Sequence, residues 1–107
     1  MTTFDKREQA FEKKFAQDEE LRFKANARRN RMLGLWAATK LGLVGNEAQS
    51  YAKTLVTTDL ENPGSDSVFN KVRSDFEQNG ILQPSEEIHR MMDEFMAQAF
   101  AEIDAGR

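Results

Sequence analysis

The residues whose types could support chemistry are few. His89 is the single histidine of the chain, and there is no cysteine. With no second histidine to complete a metal site, His89 reads as a surface or half-buried structural residue. Asp93 with Glu94, or Asp18 with Glu19 and Glu20, supply the carboxylates of a metal site or an acid–base pair in type only. Their helical spacing and the lack of an imidazole partner make them solvated charges. The serines at 50, 65, 67, 74 and 85 stand in no nucleophile-elbow context, and Ser65 and Ser85 are explained as helix caps. No Walker A pattern and no glycine-rich phosphate loop occurs. The absence of cysteine excludes disulfides, thiolate chemistry and zinc–thiolate sites. The sequence is therefore read as that of a non-enzyme.

One cluster points to binding. Arg28, Arg29 and Arg31, preceded by Arg22 and Lys24, form a basic stretch suited to an acidic protein surface or a phosphate group. Around a helix these side chains fan out, so the plainer reading is a solvated face. The overall balance is 15 Lys+Arg against 18 Asp+Glu, a formal charge of −3. That argues against nucleic acid or an anionic membrane as the main partner.

The elements that carry these residues are read as helices separated by breakers. The first spans about 19–41, with Leu21, Phe23, Ala25, Ala27, Met32, Leu33, Leu35, Trp36, Ala37 and Ala38 on a wide apolar side. Gly34 inside it costs roughly 1 kcal/mol against alanine, which close packing on a neighbour would explain. Gly42, suited to the left-handed position after a helix, and Gly45 bracket a turn. The second helix spans about 46–59, capped by Asn46, and buries Ala48, Tyr51, Ala52, Leu55 and Val56. Asn62-Pro63-Gly64 ends it. The third is capped by Ser65, buries Val68, Phe69, Val72 and Phe76, and stops at Asn79-Gly80. The fourth starts at Ser85, with Glu86 and Glu87 favourably placed in its first turn. Ile88, Met91, Met92, Phe95, Met96, Ala99 and Ile103 form its apolar face. Trp36 and the methionine cluster are expected in the core, and residues 105–107 are expected to fray. The 107 residues suffice for one domain, and 39% apolar against 31% charged residues suits a small bundle with a solvated segment. The expected fold is all-α, a small four-helix bundle over residues 21–104 with a mobile N-terminal extension over residues 1–20. No run approaches the roughly 20 apolar residues of a membrane span, and the N-terminus has neither the basic region nor the apolar core of a secretory signal.

The extension has a pattern of its own. Phe4, Phe11 and Phe15 are spaced by seven and four residues and share one face of a helix. Asp5 with Glu8 resembles a capping box, so a helix beginning near Lys6 is consistent with the sequence. From Lys6 to Glu20 it would extend roughly 22 Å. Burying the three phenylalanines contributes roughly 5–9 kcal/mol, whereas ordering fifteen residues costs on the order of 15 kcal/mol or more. Such a segment needs a surface, either a partner's groove or its own bundle.

Two motifs in order resemble a known family. The runs Phe4-Asp5-Lys6-Arg7-Glu8 and Ala10-Phe11-Glu12-Lys13-Lys14-Phe15-Ala16 are followed by Phe23-Lys24-Ala25-Asn26-Ala27-Arg28-Arg29-Asn30-Arg31 and Gly34-Leu35-Trp36-Ala37-Ala38. Over roughly residues 1–80 the sequence is similar to the zeta subunit of the alphaproteobacterial F-type ATP synthase, a natural inhibitor of ATP hydrolysis. The resemblance implies a four-helix bundle that anchors an inhibitory N-terminal helix. That helix would wedge between catalytic, noncatalytic and rotor subunits. It would make Phe4, Asp5, Arg7, Phe11 and Phe15 the contact face, with Lys13 and Lys14 as flanking charges. It also implies a cytoplasmic protein, monomeric when free and peripheral to the inner membrane through the synthase. No cofactor is expected, although weak ATP or ADP binding is compatible with the family. Two departures stand out. Gln17 occupies a position often held by histidine, which removes a pH-sensitive role there, and Ser67 replaces a common second acid after Asp66. The alternative function is a small helical module binding a nucleotide or phosphorylated ligand through Arg28, Arg29 and Arg31.

Overall fold

The computed structural model describes residues 19–64 and 66–106. Over them the chain forms four helices: α1 (Glu19–Lys40), α2 (Gly45–Glu61), α3 (Ser67–Gln78) and α4 (Ser85–Ala105). No strand occurs among the described residues. The expected all-α four-helix architecture is observed. The expected N-terminal extension, residues 1–18 in particular, lies outside the described residues.

Helix ends follow local chemistry. Glu19 and Glu20 open α1 and Lys40 closes it, each complementing the helix dipole. Two helices end in the same motif. Gly42 takes φ +79°, Leu43 N–H donates to the Ala38 carbonyl at 2.9 Å, and Gly42 N–H to Thr39 at 3.2 Å. Gly80 takes φ +69°, Ile81 N–H donates to Phe76 at 2.8 Å, and Gly80 N–H to Glu77 at 3.2 Å. Both are left-handed glycine caps that satisfy otherwise orphaned carbonyls.

The expected N-caps are corrected. Val44 and Pro84 take the extended cap conformation, so Asn46 and Ser85 already lie inside their helices. The Pro84 carbonyl accepts from Glu87 N–H at 3.0 Å, and its ring-fixed φ suits the position before the helix. Asp66 is the residue before α3, while Ser65 lies outside the described residues. None of the three caps places a side chain on a backbone N–H. The helices also run slightly further than expected, α2 to Glu61 and α4 to Ala105, where Gly106 N–H closes on Glu102 at 3.1 Å.

α1 lies centrally, against both α2 and α4. The bundle measures 44 × 27 × 25 Å. Its main core joins Leu33, Ala37, Leu55, Val72, Phe76 and Ile88, with Val68 and Phe69. Trp36 packs on this core from a partly buried position, edge-to-face with Phe76 at 5.8 Å. A second cluster near the chain's entry joins Leu21 and Ala25 of α1 to Ala99 and Ile103 of α4. Met91, Met92 and Phe95 border the first core and Met96 the second, the packing role expected of them. His89 is exposed and stacks on Phe69 at 3.9 Å. Gly34 sits where a Cβ would overlap the Cα of Ala52. The glycine thus allows α1 and α2 to meet backbone to backbone. Phe23 departs from expectation. It is 55% exposed, because Leu21 and Ala25 take the face towards α4 and position 23 lies half a turn away from them.

Candidate functional site

The residues assigned to inhibition, Phe4, Asp5, Arg7, Phe11, Lys13, Lys14 and Phe15, all lie outside the described residues. The structure does describe the helix that follows them in the chain, α1, beginning at Glu19.

The three arginines of the basic stretch are also described, and they do not converge. Arg28 is exposed and forms an ion pair across to α4, its Nη1 3.1 Å from Glu102 Oε1. Arg31 is exposed and reaches α2, donating from Nη2 to Gln49 Oε1 at 3.3 Å. Arg29 is half-buried and donates from Nε and Nη2 to Asn30 Oδ1 at 3.0 and 2.9 Å. Burial lowers its guanidinium pKa, and the carboxylates of Asp59 and Asp93 oppose that shift. Arg28 and Arg31 are struts to two different helices and Arg29 is held by its own neighbour on α1, so the three do not form a phosphate cradle.

Among the described residues, no group of three or more His, Asp or Glu side chains is placed to hold a metal ion. No described helix is long and apolar enough to cross a membrane.

A concavity with a partly apolar lining lies elsewhere. Beyond the Gly34–Ala52 contact, a groove of about 420 Å³ separates the first turns of α1 from the last turns of α2. Phe23, Ala27 and Asn30 form one wall, and Val56, Leu60 and Pro63 the other. Glu19, Arg22 and Asp59 add charge to its lining. Leu60 is 51% exposed, matching Phe23 across the groove. Asn30 is wholly buried: its Oδ1 accepts from Arg29, while its Nδ2 has no acceptor among the described residues. Sequence reasoning passed over this site. The signal was present as a second stripe, positions 23, 27, 30 and 34 of α1 with 56 and 60 of α2. It was masked because the dominant apolar faces of both helices already accounted for a bundle.

Comparison with known proteins places the chain. No curated protein matches its sequence. A solved structure titled "Solution NMR structure of the protein" is similar in fold, with a TM-score of 0.70 and 37% sequence identity over 81% of this chain and 99% of that one. The family pattern described as ATPase inhibitor subunit zeta matches residues 1–102. That match takes in the phenylalanine stripe, the basic stretch, the groove and all but the last turn of α4, and the chain belongs to the ATPase inhibitor subunit zeta family.

Proposed function

We propose that the chain inhibits ATP hydrolysis by the catalytic sector of the F-type ATP synthase by inserting its N-terminal segment, as a helix, at a subunit interface. The observation that carries this reading is the family match, which starts at residue 1 and so includes the segment with the phenylalanine stripe. Phe4, Phe11 and Phe15 supply the apolar face for a cleft between catalytic, noncatalytic and rotor subunits. Asp5, Arg7, Lys13 and Lys14 supply its flanking charges. The bundle performs no chemistry in this scheme. It anchors the segment in the cytoplasm, at the enzyme, and limits how far the wedge enters. Coupling α1 to α2 and α4 on both sides makes that anchor stiff, which suits a steric block.

The test is ATP hydrolysis by the isolated catalytic sector from the same cell, titrated with the full chain and with variants. The full chain is expected to inhibit, and a chain lacking residues 1–18 is expected not to. Phe11→Ala should raise the concentration for half inhibition at least about tenfold. One buried phenylalanine contributes about 1.5–3 kcal/mol, and about 1.4 kcal/mol is tenfold in affinity. Full inhibition by the truncated chain would overturn the mechanism. The basic stretch as a nucleotide site gains no support, since Arg28, Arg29 and Arg31 each have a separate partner within the bundle.

A further inference from the structure

The groove between the first turns of α1 and the last turns of α2 combines apolar walls, a polar floor and an acidic balance of charge. Phe23 and Leu60 stand on its two walls, each half exposed, with Val56 and Pro63 beside Leu60. Asn30 lines it too, fully buried, and its Nδ2 has no acceptor among the described residues. A buried donor left unpaired is costly, and an acceptor brought to it removes that cost. Among the charged residues of the lining, Glu19 and Asp59 outnumber Arg22.

We propose that this groove is a second contact of the chain with the ATPase, and that its occupant is the C-terminal end of a helix on the outer surface of the catalytic sector. The choice of enzyme rests on the function proposed above, and the chemistry of the occupant rests on the groove. The end of a helix leaves its last four carbonyls without partners inside the helix. It therefore brings the acceptor that the Asn30 amide lacks. Lysine and arginine are favoured in the same last turn, and they complement Glu19 and Asp59. An apolar side chain beside them fills the space between Phe23 and Leu60. The start of a helix matches on neither count, since it presents N–H donors and favours acids. A small anionic ligand is opposed as well, because one arginine faces two carboxylates in the lining.

Position argues for the same enzyme that takes the N-terminal segment. Glu19 is both the first residue of α1 and part of the groove lining, so the groove opens where residues 1–18 join the bundle. Phe23 lies one turn further along α1, about 6 Å from Glu19. A partner that holds the segment is thus within reach of the groove, and two linked contacts raise each other's effective concentration. The other two exposed large apolar residues, Val44 and Leu82, lie at the far end of the bundle. Lys40 at the end of α1 is close enough to act on Glu87 in the first turn of α4, which places both of their turns at that end. About 33 Å of α1 separates it from the groove's end.

The test titrates full-length variants against ATP hydrolysis by the isolated catalytic sector. Phe23→Ser and Leu60→Ser, both at half-exposed positions, are each expected to raise the concentration for half inhibition about fivefold or more, with ¹⁵N spectra that keep the dispersion of the folded bundle. Val44→Ser and Leu82→Ser remove apolar groups that are more exposed still, and are expected to change nothing. Asp59→Asn should weaken inhibition and make it less dependent on salt. The chain lacks cysteine, so Leu60→Cys and Leu82→Cys each accept one environment-sensitive dye on the full-length protein. On binding the sector, only the dye at position 60 is expected to shift to the blue. Groove variants as potent as the unsubstituted chain, or a dye at position 60 that stays unmoved while hydrolysis is blocked at undiminished potency, overturn the second contact and leave the inhibitory function standing. An unsubstituted chain that leaves hydrolysis unchanged overturns that function and the assignment to the ATPase together. Full potency of Asp59→Asn beside weakened Phe23→Ser and Leu60→Ser overturns the helix C-terminus as occupant. A free chain that sediments as a dimer, and as a monomer with Leu60→Ser, assigns the groove to a second copy and overturns the proposal as well.

Discussion

At the scale of single residues, the Tyr51–Asp75–Lys71 set ties α2 to α3. The Tyr51 hydroxyl donates to Asp75 Oδ2 at 2.7 Å, and Lys71 Nζ lies 3.2 Å from the same oxygen and 5.5 Å over the Tyr51 ring. Burial first, then the hydrogen bond to Asp75 and its negative charge, push the phenol well above its ordinary pKa of 10.0. The folded pKa is raised, so below pH 10 this contribution to stability is complete. Above pH 10 the unfolded chain loses the proton first, and stability falls as pH rises. Tyr51→Phe is expected to cost about 1 kcal/mol at neutral pH, because the site is only partly buried and Lys71 still pairs with Asp75. The same variant should show a shallower loss of stability above pH 10, measured by urea unfolding across that range. Lys71 and Asp75 stand at i,i+4 on one helix and their pairing is visible in the sequence, but the bond from Tyr51 to Asp75 was not. Tyr51 was assigned to the buried face of its helix, and which acid it would meet depends on the offset between two helices. The Glu87–Arg90 pair is the local counterpart. Its i,i+3 spacing is visible in the sequence, and the hydrogen bond from Arg90 holds the Glu87 carboxyl below its ordinary value.

At the scale of helices, the contact between Gly34 and Ala52 controls how α1 and α2 meet. Alanine in a helix interior is favoured over glycine by about 1 kcal/mol, yet a Cβ at position 34 would overlap the Ala52 backbone, which no rotamer change relieves. Gly34→Ala is therefore expected to destabilise by about 1–3 kcal/mol net, read as a lower midpoint in thermal unfolding. Gly42→Ala makes the contrast. Open space surrounds it, and its cost, about 1–2 kcal/mol, comes from the left-handed backbone alone. Helix stops at Gly42 and Gly80 were legible because a left-handed residue after a helix is a local requirement that glycine meets best. Helix starts were less so. Asn46, Ser65 and Ser85 have good capping chemistry, but the backbone turns into α2 and α4 one or two residues earlier, at Val44 and Pro84.

At the scale of the molecule, the two apolar clusters of the bundle draw on residues from Leu21 to Ile103. A chain of residues 19–107 is therefore expected to unfold cooperatively, with a midpoint within a few degrees of the full-length protein, as followed by circular dichroism. A collapse of that transition would mean that residues 1–18 belong to the fold and not only to the function proposed for them. The same layout explains why the open groove lies where it does. α3 has 12 residues, so about 18 Å of helix, against 22 residues and about 33 Å for α1. A shorter third helix leaves part of a longer first one uncovered by α3.

The sequence by itself determined the helices, their apolar faces, the glycine stops and the family. These depend on spacing within one element, on one left-handed residue, or on motifs read in order. Only the tertiary structure decided which partners Arg28, Arg29 and Arg31 meet and that Asn30 is buried with one side of its amide unpaired. Only it shows that Phe23 and Leu60 flank a groove instead of completing the core. The physical reason is the same in each case. A helical period says which residues share a face, but the partner of that face depends on where two helices touch and how far each extends. Here that is governed by the close approach at Gly34 and Ala52.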